Sequence, residues 1–70
     1  MKIADLEIGL QIRLARVTRR VTQRELSLRT GIAPAQISDI ELGWRKPSAE
    51  EVSSIFKALG TEPEATEPKK

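Results

Sequence analysis

Residues 22–42 constrain the fold of this chain more than any other stretch, because they contain the start and stop signals of two short helices. Thr22 and Glu25 stand at the spacing of a capping box, in which the hydroxyl and the carboxylate satisfy each other's backbone N–H groups. Gly31 can adopt the positive φ that a sharp turn between helices commonly needs. Pro34 suits the first position of the second helix. The stretch therefore predicts two helices joined by a tight turn.

Similar signals predict a helix on each side of this pair. Asp5 is a candidate N-cap for a first helix that reaches about Arg19 or Arg20. Ser48 and Glu51 form a second capping box ahead of a helix over residues 49–59. We expect glycines at 43 and 60 to end the third and fourth helices. The predicted fold class is all-α, a small four-helix domain whose core residues recur at helical spacing: Ile8, Ile12, Ala15, Val21, Leu26, Ile32, Ile37, Ile40, Val52, Ile55, Phe56 and Leu59.

Length and composition narrow the class of protein. Seventy residues make one domain, which we place at residues 1–60, followed by a polar, proline-interrupted tail over residues 61–70 that we expect to be disordered. The chain has no Cys and no His, so we expect no metal, no cofactor, no small-molecule ligand and no enzymatic activity. Neither a signal peptide nor a membrane span is evident, which favours a cytoplasmic location.

Basic residues are concentrated in one part of the chain. The net charge is only +2, but six arginines lie between Arg13 and Arg29 against a single acid, Glu25. Such clustering on a helical domain favours a polyanionic partner. The alternative is an ordinary solvated helix surface.

Five short motifs are spaced along the chain: IRLAR at 12–16, TQREL at 22–26, TGI at 30–32, ISDIE at 37–41 and GWRKPS at 43–48. In sequence and spacing they resemble the phage-repressor-like (Xre/Cro/CI-type) helix-turn-helix family. The resemblance covers roughly residues 8–60. It implies a lambda-repressor-like fold, double-stranded DNA as the partner, and a recognition helix over residues 34–42 that enters the major groove.

The candidate DNA contacts divide into phosphate contacts and base contacts. Gln23 begins a helix, where free N–H groups and the helix dipole favour an anion, and the resemblance implies that it binds phosphate. The resemblance gives the same role to the loop residues Arg45 and Lys46. For Trp44, packing over the rim of the core and packing on a sugar-phosphate remain alternatives. Base reading falls to the side of the third helix opposite its isoleucines, with Pro34, Ala35, Ser38 and Asp39 as candidates. Gln36 lies at the edge of this side, where a base contact and a phosphate contact are alternatives.

Arg16 and Glu41 have a different predicted role. The resemblance implies that they form an ion pair that ties the first helix to the third and leaves one guanidinium edge for a phosphate. We interpret this pair as mainly structural.

A second apolar stripe lies on the first helix, nearly opposite the predicted core stripe. Leu6, Leu10, Leu14 and Val17 form it, and the first three are candidates for a self-association or partner surface. The alternative is a stripe that is merely half exposed or covered by the N-terminal residues. The polar tail departs from the fifth, dimer-forming helix that family members often have, so this stripe is a candidate substitute.

The leading hypothesis is a sequence-specific transcriptional regulator, a repressor that binds an inverted repeat as a homodimer. A protein-protein adaptor built on the same scaffold is the alternative, motivated by the apolar stripe and by the few base-reading groups on the third helix. An activator is the alternative to a repressor, and the small size fits an antitoxin, a restriction-modification controller, and a phage or plasmid repressor.

Overall fold

A computed structural model describes the backbone of residues 3–63 and the side chains of residues 7–63. Four helices follow one another in this range, with no strand among them: α1 (Ile3–Thr18), α2 (Gln23–Thr30), α3 (Pro34–Glu41) and α4 (Ala49–Leu59). The predicted all-α architecture is confirmed. α3 packs against α1 and α2, and α4 packs against the same two helices.

Both ends of α1 differ from the prediction. The helix begins at Ile3, so the prediction of Asp5 as its N-cap is wrong. Asp5 instead falls in the first turn, where the helix dipole favours an acidic residue. At the other end, Arg20 adopts a φ of 57°, and the Val21 N–H donates to the Arg16 carbonyl over 3.0 Å. A non-glycine residue in the left-handed conformation thus closes the helix at Thr18, slightly before the predicted end at about Arg19 or Arg20.

The local signals of the central pair are confirmed. The Glu25 N–H donates to the Thr22 hydroxyl over 3.0 Å, and the Thr22 N–H donates to the Glu25 carboxylate over 3.2 Å. Gly31 caps α2 with a φ of 77°. Pro34 is the first residue of α3. These short-range bonds hold the two helices at the turn that the sequence predicts.

The helix ends around α3 and α4 also match their predictions. Gly43 adopts a φ of 79° after α3, and the following Trp44 N–H donates to the Asp39 carbonyl over 2.9 Å. The Ser48 hydroxyl and the Glu51 carboxylate form the second capping box. The chain then leaves α4 through Gly60 at a φ of 73°.

A single apolar core joins the four helices. Among the described residues, nine hydrophobic side chains form the buried cluster, all of them predicted: Ile12, Val21, Leu26, Ile32, Ile37, Ile40, Ile55, Phe56 and Leu59. The other three predicted core residues, Ile8, Ala15 and Val52, are partly buried against this cluster, as is Ala58, which the prediction did not include. The central isoleucines Ile37 and Ile40 are fully buried and attach α3 to the rest of the domain.

Gly9 sets how closely α1 approaches α3. It is buried, and a Cβ atom placed on it would lie 2.3 Å from the Ile40 carbonyl oxygen and 2.7 Å from that of Glu41. Only a residue without a side chain allows this backbone contact. Sequence reasoning did not single out this glycine.

Predictions at the two ends of the chain fall partly outside the described residues. The side chain of Leu6 and residues 64–70 of the predicted disordered tail lie there. Within residues 3–63, no helix combines the length and apolar character needed to cross a bilayer.

Candidate nucleic-acid interface

The outer side of α3 is open. Its core side is fully buried through Ile37 and Ile40, whereas Pro34, Ala35 and Asp39 are exposed. Gln36 and Ser38 are half-buried at the edges of this side. The side therefore offers two small apolar groups, an amide, a hydroxyl and a carboxylate to whatever approaches it.

An ion pair fixes the C-terminal end of α3 to α1, as predicted. Arg16 Nε donates to Glu41 Oε2 over 2.7 Å, and Arg16 Nη2 donates to Glu41 Oε1 over 3.0 Å. The Glu41 side chain is only 4% exposed and that of Arg16 only 13%. Because the two bonds run in parallel and are shielded from water, the pair orients α3 more firmly than a surface ion pair would.

Further hydrogen bonds extend this pair to α2. Arg16 Nη1 donates to the Val21 carbonyl over 2.9 Å, and Gln23 Nε2 donates to Glu41 Oε1 over 3.1 Å. Arg16 therefore uses three of its five N–H groups within the protein, which leaves two for a further acceptor. The amide of Gln23 links the N-terminus of α2 to α3, a contact that the sequence did not predict.

A shallow concavity of about 230 Å³ lies over this network, between α1, α2 and α3. Its lining is mostly basic and polar: Arg13, Arg16, Gln23, Ser38, Glu41 and Leu42. Sequence reasoning treated Arg13 only as part of a positive field. The helix spacing that places it one turn before Arg16 on the same side was the available signal.

The loop after α3 carries the remaining candidates. Trp44 is 74% exposed, so the structure does not place it over the rim of the core. Lys46 is exposed. Arg45 Nη2 lies 3.7 Å from Glu51 Oε2, and both side chains are partly exposed. This ion pair was not predicted, and it partly neutralises one of the two basic groups of the loop.

The sequence of this chain is similar to known helix-turn-helix proteins. Residues 12–65 match the family described as Helix-turn-helix. An uncharacterised HTH-type transcriptional regulator of Mycobacterium tuberculosis is 45% identical over 51 residues, which cover 73% of this chain and 36% of that protein. Multiprotein-bridging factor 1 of Candida albicans is 32% identical over 60 residues, covering 86% and 40% respectively.

A solved structure shows the same arrangement of helices. The clp gene regulator ClgR from Corynebacterium glutamicum superposes with a TM-score of 0.84 at 30% identity, covering 87% of this chain and 65% of the other. The chain spans little more than a third of the length of the two curated relatives above. With the motifs, the fold and the matched residues in agreement, the chain belongs to the Xre/Cro/CI-type helix-turn-helix family.

Proposed function

We propose that this domain is a sequence-specific DNA-binding transcriptional regulator that inserts α3 into the major groove. The observation that carries the proposal is the open outer side of α3 on a helix whose other side is anchored by Ile37, Ile40 and the Arg16–Glu41 pair. A reading helix has to be exposed to the bases and held rigidly relative to the phosphates. The names of the matched regulators support the same function.

Phosphate contacts would flank the reading helix on both sides. The concavity with Arg13, Arg16 and Gln23 lies on one side of α3, and the loop with Arg45 and Lys46 follows the helix. Gln23 would turn its amide from Glu41 toward a phosphate, or donate its second N–H while it keeps the first bond. Base reading falls to Pro34, Ala35, Gln36, Ser38 and Asp39.

We further propose that the domain represses transcription as a homodimer on an inverted repeat. Half-sites centred about 34 Å apart would present successive major grooves on one side of the duplex. The few base-reading groups on α3 leave part of the specificity to DNA shape. Occupation of a promoter by such a dimer would exclude the polymerase.

A DNA titration tests this function directly. The protein is titrated on DNA from upstream of its own gene and on random-sequence DNA, each at two salt concentrations. We expect tighter binding to the upstream DNA and a steep loss of affinity with salt as counterions are released. Equal affinity for both DNAs at both salt concentrations would refute specific regulation.

Two variants connect this result to the interface. Ser38→Ala should weaken binding to the upstream DNA, whereas Ser54→Ala, at an exposed position on α4, should not. Both proteins should melt near the temperature of the unsubstituted protein. Equal affinities of the two variants for the upstream DNA would argue against a base contact by Ser38.

An adaptor function is the second candidate. The exposed side chains of Leu10 and Leu14 favour it, as does the similarity to a protein named a multiprotein-bridging factor. If the domain acts in this way, Gln23→Ala and Ser38→Ala leave repression of a reporter intact while Leu10→Asp abolishes it. Loss of repression in Gln23→Ala and Ser38→Ala supports direct DNA reading instead.

A further inference from the structure

The outer face of α1, formed by Leu10, Leu14 and Val17, is apolar and exposed. These side chains are 46%, 65% and 55% exposed, and they recur at helical spacing nearly opposite the buried Ile12. We infer that the outer face of α1 pairs with the same face of a second copy, with the two helices antiparallel. The inference rests on the proposed function for its purpose, because it supplies the homodimer that an inverted repeat requires.

Charge along α1 favours a second copy in the antiparallel orientation. Glu7 lies in the N-terminal half of the helix, whereas Arg13, Arg19 and Arg20 lie in or just after its C-terminal half. An antiparallel pair brings the acidic end of each helix to the basic end of the other and opposes the two helix dipoles. A parallel pair would instead place Arg19 and Arg20 of one copy beside those of the other, in addition to Arg13.

The position of α3 around α1 favours the same orientation. Gly9 and Arg16 mark the side of α1 that contacts α3, about 100–120° around the helix from the outer face. The two-fold axis of an antiparallel pair is perpendicular to the plane of the two helices, so both copies of α3 lie on the same side. In a parallel pair the axis runs along the helices, and the two copies of α3 lie on opposite sides, where one duplex cannot meet both.

The apolar spacing also defines a register. Centring the pair between Leu10 and Leu14 sets Leu10 of one copy against Leu14 of the other, and Val17 against Glu7. Both copies of Arg13 then lie close to the two-fold axis on the side of α3. Their mutual repulsion disfavours the free dimer, and a polyanion bound on that side relieves it.

The pair is small, which sets its expected strength. Two helices that meet along three side chains each bury less than the roughly 1,200 Å² of a stable interface. We therefore expect free protein to be mainly monomeric at low concentration, and to form the dimer at high concentration or on DNA.

Disulfide trapping tests the orientation, and the absence of cysteine from the chain makes the test clean. Leu10→Cys protein and isotopically labelled Leu14→Cys protein are mixed in equal amounts at high concentration and oxidised. Because the label gives the mixed and the two like-with-like disulfides different masses, mass spectrometry measures the share of each product. Facing positions bring the Cα atoms within the roughly 4.4–6.8 Å that a disulfide needs. We expect the mixed disulfide in clear excess over its statistical share. A statistical mixture, or an excess of like-with-like products, would overturn the antiparallel pairing.

Sedimentation equilibrium without DNA tests the surface itself. The average mass of the unsubstituted protein should rise toward that of a dimer between ~10 µM and ~1 mM, and Leu14→Glu should weaken this association at least ~10-fold. Leu28→Glu is the matched control, because Leu28 is also apolar and is 77% exposed, but lies on α2. Equal association of all three proteins, or a constant monomer mass for the unsubstituted protein, would refute the inference.

The two measurements separate this inference from the proposed function. If the protein dimerises through α1 but binds upstream and random DNA equally, the pairing stands and specific regulation fails. If it binds upstream DNA specifically while Leu14→Glu changes neither the mass nor the number of copies per operator, the pairing fails and the regulator stands. If the unsubstituted protein stays monomeric and its outer face of α1 binds a different protein, the adaptor function is favoured.

Discussion

Arg16 donates three hydrogen bonds to the rest of the domain, although it is a charged residue. It holds Glu41 through two parallel bonds and the Val21 carbonyl through a third, with 13% of its side chain exposed. The guanidinium is thereby oriented before any ligand arrives. The buried Glu41 carboxylate thus fixes the position of Arg16 within the candidate interface.

Replacing Arg16 should therefore cost much more than replacing an exposed arginine. Arg16→Met leaves the buried Glu41 carboxylate with Gln23 as its remaining side-chain donor, and we expect a loss of about 3–5 kcal/mol of unfolding free energy. Urea denaturation measures this loss. Arg29→Met is the matched control, since its ion pair with Glu25 is 4.0 Å long and about half exposed on both sides; we expect a cost below about 1 kcal/mol there. Equal costs would mean that the Arg16 pair is screened like a surface pair.

At the scale of helices, Gly9 determines the distance between α1 and α3. Alanine usually stabilises a helix by about 1 kcal/mol relative to glycine. At this position the added Cβ meets the Ile40 and Glu41 carbonyls, so Gly9→Ala should instead destabilise the protein by about 1–3 kcal/mol. Denaturation of the purified variant shows whether the substitution raises or lowers the free energy of unfolding. A stabilised variant would show that the two backbones are not in close contact.

The capping box of α4 gives a second prediction at this scale. Ser48→Ala removes the acceptor for the Glu51 N–H, and we expect a loss of about 1 kcal/mol. In a domain of this size that loss lowers the melting temperature by roughly 4–8 °C. Ser54→Ala within the same helix should leave the temperature unchanged or raise it slightly. A matching drop in both variants would point to a general effect of the substitution and not to the cap.

For the whole molecule, the distribution of charge predicts how DNA affinity depends on salt. If Lys46 contacts a phosphate, Lys46→Gln should reduce the slope of log affinity against log salt by about 1. Arg45→Gln should have a smaller effect, because Glu51 already pairs with Arg45 at 3.7 Å. Lys57→Gln, near the C-terminal end of α4, is the control with no expected change. Equal slopes for the unsubstituted protein and Lys46→Gln would show that Lys46 does not contact a phosphate.

The sequence by itself determined the helices, their turn and nearly all of the core. Capping boxes, a helix-ending glycine and the first-position proline act over three or four residues, so each can be recognised without knowledge of the fold. The 3.6-residue period likewise assigned Ile12, Ile37 and Ile40 to the interior. The Arg16–Glu41 pair was available only through the family resemblance, since 25 residues separate its members.

Only the tertiary structure decided which residues of different helices and loops contact one another. The need for glycine at position 9 comes from the carbonyls of a different helix. The bond from Gln23 to Glu41, the place of Arg13 in the concavity and the pairing of Arg45 with Glu51 likewise join separate elements. Contacts of this kind depend on the angles and distances at which helices pack, which no local pattern of residues encodes. The helices were therefore predictable from neighbours in sequence, whereas the candidate binding surface arises from neighbours in space.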